Sequence, residues 1–287
     1  MKNNCGNKTG ENRFGVITEN VPCGSTNATC SKNVKVQLGR TEIILTKGNY
    51  KVEDLEVGAL LKYKVRRVGL YLVVESDIGV AVMWDRKTTI RILLEPQHSG
   101  EVCGLCGNFD GDGQNDFTTQ GQMVVTNPLE FANSWKVRSS CKDVEENVDP
   151  CDLEPKRQHW AKMMCGIITG TTFHQCHTKV NPQPYYDNCV KDSCACDAGG
   201  DCECFCSAVG AYAQACNEAG VCVAWRTPDI CPVFCDYYNN PNDCTWHYHP
   251  CHTPCYKTCL NPHGICSNPI PNLEGCYPVC PEDKPIF

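Results

Sequence analysis

Between residues 12 and 95 the apolar residues come in short runs. Val34-Lys35-Val36-Gln37-Leu38 and Thr41-Glu42-Ile43-Ile44-Leu45 are followed by Leu70-Tyr71-Leu72-Val73-Val74, Val80-Ala81-Val82-Met83-Trp84 and Ile90-Arg91-Ile92-Leu93-Leu94. The runs are rich in β-branched residues and are separated by turn signals such as Lys47-Gly48-Asn49 and Ser76-Asp77-Ile78-Gly79, so each predicts a strand. Their close spacing favours an antiparallel sandwich or barrel. No helical stretch lies between them to carry the crossover of a parallel sheet.

The pattern changes after Cys141. Lys142 to Asp149 is polar and acidic, as a linker would be. In Leu153 to Ile168 the apolar residues Trp160, Met163, Met164 and Ile167 recur at steps of three and four; Phe205, Val209, Tyr212 and Cys216 do the same before Gly220. Both patterns predict helices. From Cys231 onward Pro, Asn and Cys dominate, predicting loop and short hairpin held by cross-links. The division expected is therefore a β domain over 1–145, a small helical module over 150–223 and a mostly irregular module over 228–287.

Cysteine content decides how these parts are held. The chain has 287 residues and 26 cysteines, six in the first 150 residues and twenty beyond them. That density belongs to an oxidising compartment and a secreted protein. The first part is long enough to bury a core, whereas the second depends on cystines. The net charge of −7 and scattered Lys and Arg give no basic footprint, which argues against nucleic acid. No run of about 18 apolar residues is present to span a membrane. The start, Met1-Lys2-Asn3-Asn4-Cys5, lacks the apolar segment of a signal peptide, and a cysteine-rich chain without one reads as a fragment.

Residues Cys103-Gly104-Leu105-Cys106-Gly107-Asn108-Phe109-Asp110-Gly111-Asp112-Gly113-Gln114-Asn115-Asp116-Phe117 place oxygen ligands among glycines. Such spacing suits a hard cation such as Ca²⁺, and equally a metal-free Asx-rich turn. It is no EF-hand: with Asn108 at position 1, position 12 falls on Thr119 instead of the required Glu. Cys103 and Cys106 form a C-x-x-C, but the surrounding glycines oppose the helix that redox chemistry would need, and structural cystines are the better reading. Cys194, Cys196, Cys202, Cys204 and Cys206 lack the usual zinc spacing. His159, His174, His177, His247, His249, His252 and His263 sit without a recognisable nucleophile; they are surface residues or sensors of secretory acidity. No catalytic residue and no small-molecule substrate are expected. Asn7-Lys8-Thr9 and Asn27-Ala28-Thr29 are glycosylation acceptors at Asn7 and Asn27.

These residues carry a resemblance. Val102 to Phe117, followed by Phe131-Ala132-Asn133-Ser134-Trp135-Lys136, resembles the end of a von Willebrand factor type D (VWD) domain, with Ala132 where Gly is usual. Cys194-Ala195-Cys196, Gly199-Gly200-Asp201-Cys202-Glu203-Cys204-Phe205-Cys206 and Ala211-Tyr212-Ala213-Gln214 look like the eight-cysteine module that follows it. Thr258-Cys259 and Glu274-Gly275-Cys276-Tyr277-Pro278-Val279-Cys280-Pro281 are similar to a trypsin-inhibitor-like (TIL) module. The order of the three, with Trp225-Arg226-Thr227-Pro228 and Phe234-Cys235-Asp236-Tyr237-Tyr238, resembles the third D assembly of gel-forming mucins.

The resemblance implies a non-enzymatic, secreted module of mucus in which identical chains are joined by disulfides at Cys196 and Cys244. It implies Ca²⁺ at Asn108, Asp110, Asn115 and Asp116, with a carbonyl near Asp112 and a further carboxylate from an upstream strand absent from this sequence. It also implies bonds Cys5–Cys103 and Cys23–Cys30, and leaves Cys106 and Cys141 without partners, because the chain starts partway into the D domain and stops before the last TIL cysteines. The alternative function is a protease inhibitor acting through the TIL loop. A disulfide exchanger using Cys103 and Cys106 is a third.

Overall fold

The computed structural model describes residues 1–6, 10–22, 29–46, 48–145, 149–196, 201–266 and 270–285. The chain is disulfide-rich, combining antiparallel sheets with helices, and forms two compact units. One comprises Met1–Val21, Cys30–Arg66 and Leu72–Asn147; the other comprises Pro22–Thr29, Arg67–Tyr71 and Val148–Phe287.

The first unit carries two four-stranded sheets. Strands β1 (Phe14–Pro22), β2 (Thr29–Leu38), β3 (Thr41–Thr46) and β4 (Asn49–Asp54) follow one another in one sheet; β5 (Tyr63–Val68), β6 (Tyr71–Ser76), β7 (Val80–Trp84) and β8 (Ile90–Leu94) do so in the other. Period-two patterning sets the register. Val34 lies opposite Leu45 and Val36 opposite Ile43, while Leu72 lies opposite Trp84 and Val74 opposite Val82. All eight are buried, and together with Phe14, Val16, Leu38, Val80 and Val102 they make one core drawn from both sheets. A one-residue slip in either ladder would turn these side chains to the wrong face. The β2–β3 turn needs a glycine: Gly39 has φ +56°, and a β-carbon there would collide with the carbonyl of Ala59.

In the second unit α2 (Pro150–Leu153), α3 (Pro155–Thr169), α4 (Gln183–Ala195) and α5 (Asp201–Glu218) pack around a core in which cysteines act as apolar residues. A shorter helix, α1 (Pro128–Ser134), belongs to the first unit. On α3 the fully buried side chains are Ala161, Cys165 and Ile168; Met163 is exposed. The buried stripe is thus turned from the one the large apolar residues alone suggest, because Cys165 points inward to bond Cys189 on α4. On α5 Phe205, Val209, Tyr212 and Cys216 are all buried, and Tyr212 donates its hydroxyl to the carbonyl of Val180 at 2.9 Å. Toward the C-terminus β9 (Thr245–His252) and β10 (Leu273–Val279) form an antiparallel pair with an irregularity between Leu273 and Gly275.

Candidate functional site

The Asx-rich loop is built from its own backbone. Asn108 Oδ1 accepts the N–H of Asp110 at 3.2 Å, Asp110 Oδ1 that of Asp112 at 2.7 Å, and Asp112 Oδ1 that of Gln114 at 3.0 Å. These are three successive Asx turns, in which a short polar side chain replaces the ladder partner the backbone lacks. Phe109 at φ +61°, Gly107 at +75° and Gly111 at +87° supply the left-handed bends between them. The loop is pinned at both ends. Ser99 Oγ donates to the carbonyl of Phe109 at 2.8 Å, while Phe117 stacks on Phe131 of α1 and Trp135 Nε1 donates to the carbonyl of Thr118.

Three of the five expected ligands meet at one point. Asp110 Oδ2 accepts from Asn108 Nδ2 at 2.7 Å and from Asn115 Nδ2 at 2.8 Å, and the two amides are themselves 3.1 Å apart. The Asn115 hydrogen bond, followed by that from the Asp112 N–H, holds the Asp110 carboxyl below its ordinary value. Asp116 places its carboxylate against the Cα face of Gly107, where a β-carbon would collide with it. Asp112 is turned to Gln114. The side-chain oxygens suit a hard cation; turning the Asn115 amide would present its Oδ1 to the shared centre, whereas turning Asn108 would give up the Asx turn its Oδ1 makes with the Asp110 N–H. Among the described residues no three His, Cys, Asp or Glu side chains are grouped to hold a metal, so any site here depends on the Asn amides.

The second constellation is the cystine lattice. Cys5 is bonded to Cys103 across 98 residues of the first unit. In the helical module Cys151 bonds Cys194, Cys165 bonds Cys189, Cys176 bonds Cys216 and Cys206 bonds Cys231. Toward the C-terminus the pairs are Cys222–Cys251, Cys235–Cys276 and Cys255–Cys266. Each is worth about 2–4 kcal/mol through lost freedom of the unfolded chain.

The two cysteines assigned to chain joining are paired within the single chain. Within the single chain Cys196 is bonded to Cys204, eight residues on in α5, and Cys244 is bonded to Cys280 beyond the paired end of β10. Proximity explains both: Cys196 ends α4 just before α5 begins, and Thr245 lies opposite Val279, so their neighbours Cys244 and Cys280 meet. Cys106 and Cys141 are exposed free thiols, and so is Cys259, which sequence reasoning did not single out. Nothing in the sequence marked it as unpaired, because the Cys255–Cys266 bond that passes it by is visible only in the fold. The expected Cys23–Cys30 bond and the acceptors Asn7 and Asn27 fall outside the described residues. Of the histidines, His177 Nε2 lies 2.9 Å from the carbonyl of Ile168, and His247 Nδ1 lies 2.7 Å from Asp236 Oδ1.

Comparison with known proteins matches three domain families in succession along the chain. Residues 1–123 match the von Willebrand factor type D domain family, residues 164–232 the C8 domain family, and residues 244–287 the otogelin-like/mucin TIL domain family. The chain is 56% identical over 285 residues to Mucin-2 of Rattus norvegicus, an alignment covering 99% of this chain and 19% of that protein. It is 53% identical to human Mucin-5AC and 52% identical to human Mucin-5B, covering 100% and 99% of this chain and 5% of either protein. The chain thus spans less than a fifth of each of these relatives.

Proposed function

Because the chain belongs to the D assemblies of gel-forming mucins, with VWD, C8 and TIL domains in that order, we propose that it joins identical mucin chains by disulfides into an extracellular gel, with Ca²⁺ stabilising its VWD domain. Its role is structural, in a secreted protein of mucus, and its mucin relatives imply no enzymatic activity. In this reading the two sheets of the first unit form a β-sandwich over their common core.

The observation that carries the proposal is the cysteine arrangement: a scaffold locked by buried cystines, with thiols exposed at Cys106, Cys141 and Cys259. A bond between two copies of Cys196 requires two Cys196–Cys204 cystines to open and the two released Cys204 sulfurs to pair in turn, so disulfides are exchanged one for one. The same balance holds for Cys244 and Cys280. Such exchange starts from an accessible thiolate, which the exposed thiols provide. A twofold interface then sets each cysteine against its own copy. Ca²⁺ would be held by Asn108, Asp110, Asn115 and Asp116, with Asp112 shaping the turn between them. It would replace the amide hydrogen bonds at the Asp110 carboxylate with stronger ionic ligation. The alternative of a protease inhibitor is not favoured by the match of the C-terminal region to the otogelin-like/mucin group of TIL domains.

Non-reducing gels of the secreted protein test this. The wild type is expected to run as a reducible dimer. The Cys196→Ala, Cys204→Ala, Cys244→Ala, Cys280→Ala variant, which removes both joining cysteines and the partner thiols they would otherwise leave free, should run as a monomer, while a Cys106→Ala, Cys141→Ala, Cys259→Ala variant still dimerises slowly once a low-molecular-weight thiol is added. A wild-type monomer, or a quadruple variant that still dimerises, overturns the assignment.

A further inference from the structure

Strand β4 lies at the margin of its sheet, next to β3 alone, and all six of its residues are exposed. Thr46 lies opposite Asn49, closing the β3–β4 hairpin with two residues. In such a hairpin the flanking pair exchanges both backbone hydrogen bonds and the pattern alternates from there. Asn49, Lys51 and Glu53 therefore bond inward to β3, and the N–H and C=O groups of Tyr50, Val52 and Asp54 face the open edge. Tyr50 and Val52 share the face of buried Leu45 and Ile43, their partners in the ladder, yet remain about half exposed, at 48% and 46%.

The outer face carries a charge conflict. Glu53 stands directly opposite Glu42, and like charges so placed repel. Glu42 is answered by Lys35, whose Nζ lies 3.2 Å from Glu42 Oε2. Among the described residues Glu53 has no such answer, nor does Lys51 two residues before it.

We propose that β4 is a docking edge for β4 of a second copy of this chain, antiparallel and centred on Val52. Centring there pairs Val52 with its own copy and Tyr50 with Asp54, the residues whose backbone groups face outward. It also sets Lys51 of each chain beside Glu53 of the other, twice, in the close non-hydrogen-bonded pairs. An isolated lysine on an edge strand guards against pairing. Lys51 and Glu53 flanking a central valine turn that guard into a self-complementary code, which rejects other registers and accepts this one. A twofold axis demands such self-complementarity. This contact is non-covalent and independent of the cystine linkage proposed above, so the two can fail separately.

Sedimentation velocity on the Cys196→Ala, Cys204→Ala, Cys244→Ala, Cys280→Ala background, its remaining free thiols capped with iodoacetamide, tests the contact without covalent dimers, wild type here meaning unchanged in β4. The wild type is expected to self-associate reversibly, more weakly at high salt because exposed charges are screened. Lys51→Glu and Glu53→Lys should each weaken association by about tenfold, since each replaces two attractive pairs with two repulsive ones. Mixing the two variants should restore it as a heterodimer, as should the Lys51→Glu, Glu53→Lys double variant alone. Circular dichroism of each variant should match the wild type, because these side chains are exposed. A wild type that stays monomeric up to millimolar concentration, or single variants that associate like the wild type, overturns the proposal, and so does failure of the mixture to associate.

Discussion

Arg226 grips Glu274 with two parallel hydrogen bonds, Nε to Oε2 at 2.8 Å and Nη2 to Oε1 at 2.7 Å, with only 12% and 11% of the two side chains exposed. Arg226 also donates from Nη1 to the carbonyl of Cys231 and lies 4.3 Å from the ring centre of Trp225, while Tyr248 donates its hydroxyl to Glu274 Oε2. Burial alone would lower the guanidinium's pKa, but the hydrogen bonds and charge of Glu274 outweigh it and the pKa rises. The pair ties the segment after α5 to β10. Arg226→Ala leaves Glu274 buried without its countercharge and is expected to cost about 3–5 kcal/mol in denaturant unfolding with cystines intact. Arg226→Met with Glu274→Leu should recover most of the loss, since it removes both charges. A single variant as stable as the wild type would show that water reaches the pair.

The first unit was legible where alternation was strong. The runs at 34–38, 41–45, 80–84 and 90–94 coincide with strands, because a sheet buried on one face repeats every two residues. Strand β4, Asn49-Tyr50-Lys51-Val52-Glu53-Asp54, escaped notice: exposed on both faces, it carries no burial pattern. Helix α4 escaped for a different reason. Pro182 and Pro184 and the polar Asp187, Asn188, Lys191 and Asp192 mask a buried face made of Cys189, Val190, Ser193 and Cys194, where cystines supply what large apolar side chains usually do. In the Asx loop the spacing from Asn108 to Asp116 was readable either as cation ligands or as Asx turns, and the structure shows the turns; the ligand set itself came from the resemblance and not from the spacing. The intrachain partners of Cys196 and Cys244, Cys204 and Cys280, were not readable, because a sequence does not say which sulfurs the folded chain brings together.

The Asp110 carboxyl makes the loop sensitive to acid. Its pKa lies below the ordinary Asp value because Asn115 and the Asp112 N–H donate to the ionised form. A depressed carboxylate contributes stability that is present above its unfolded value, near 3.9, and is lost as pH falls through the folded one. The side-chain amide resonances of Asn108 and Asn115 should therefore stay dispersed at pH 5 and collapse toward random-coil positions only below about pH 4. In Asp110→Ala they should be collapsed at every pH. Amides that melt well above pH 5, or that stay dispersed in the variant, would show that Asp110 does not organise the loop.

Exposure and bonding together predict which sulfurs react. Native alkylation followed by mass spectrometry should label Cys106, Cys141 and Cys259, which are exposed and unpaired, and leave Cys165, Cys176, Cys189 and Cys216 untouched, buried in their cystines. Thiolate access controls such reactions, so labelling should be complete before unfolding begins. Unlabelled Cys259, or label on Cys165, would require a different pairing within the second unit.

Two glycines of the same loop separate backbone strain from steric exclusion. Gly107 and Gly111 both adopt left-handed conformations, at φ +75° and +87°. Around Gly111 a β-carbon would meet nothing within 4 Å, whereas at Gly107 it would strike the Asp116 carboxylate. Gly111→Ala therefore carries the left-handed penalty alone, about 1–2 kcal/mol. Gly107→Ala carries the same penalty and must also push Asp116 out of the loop, so it is expected to be the more destabilising of the two. Calorimetric titration with Ca²⁺ distinguishes the mechanisms further. If Asp116 is a ligand, Gly107→Ala should lose at least tenfold in affinity, about 1.4 kcal/mol, while Gly111→Ala keeps most of it. Equal effects of the two substitutions, on stability and on Ca²⁺ alike, would mean that the contact between Gly107 and Asp116 does not matter.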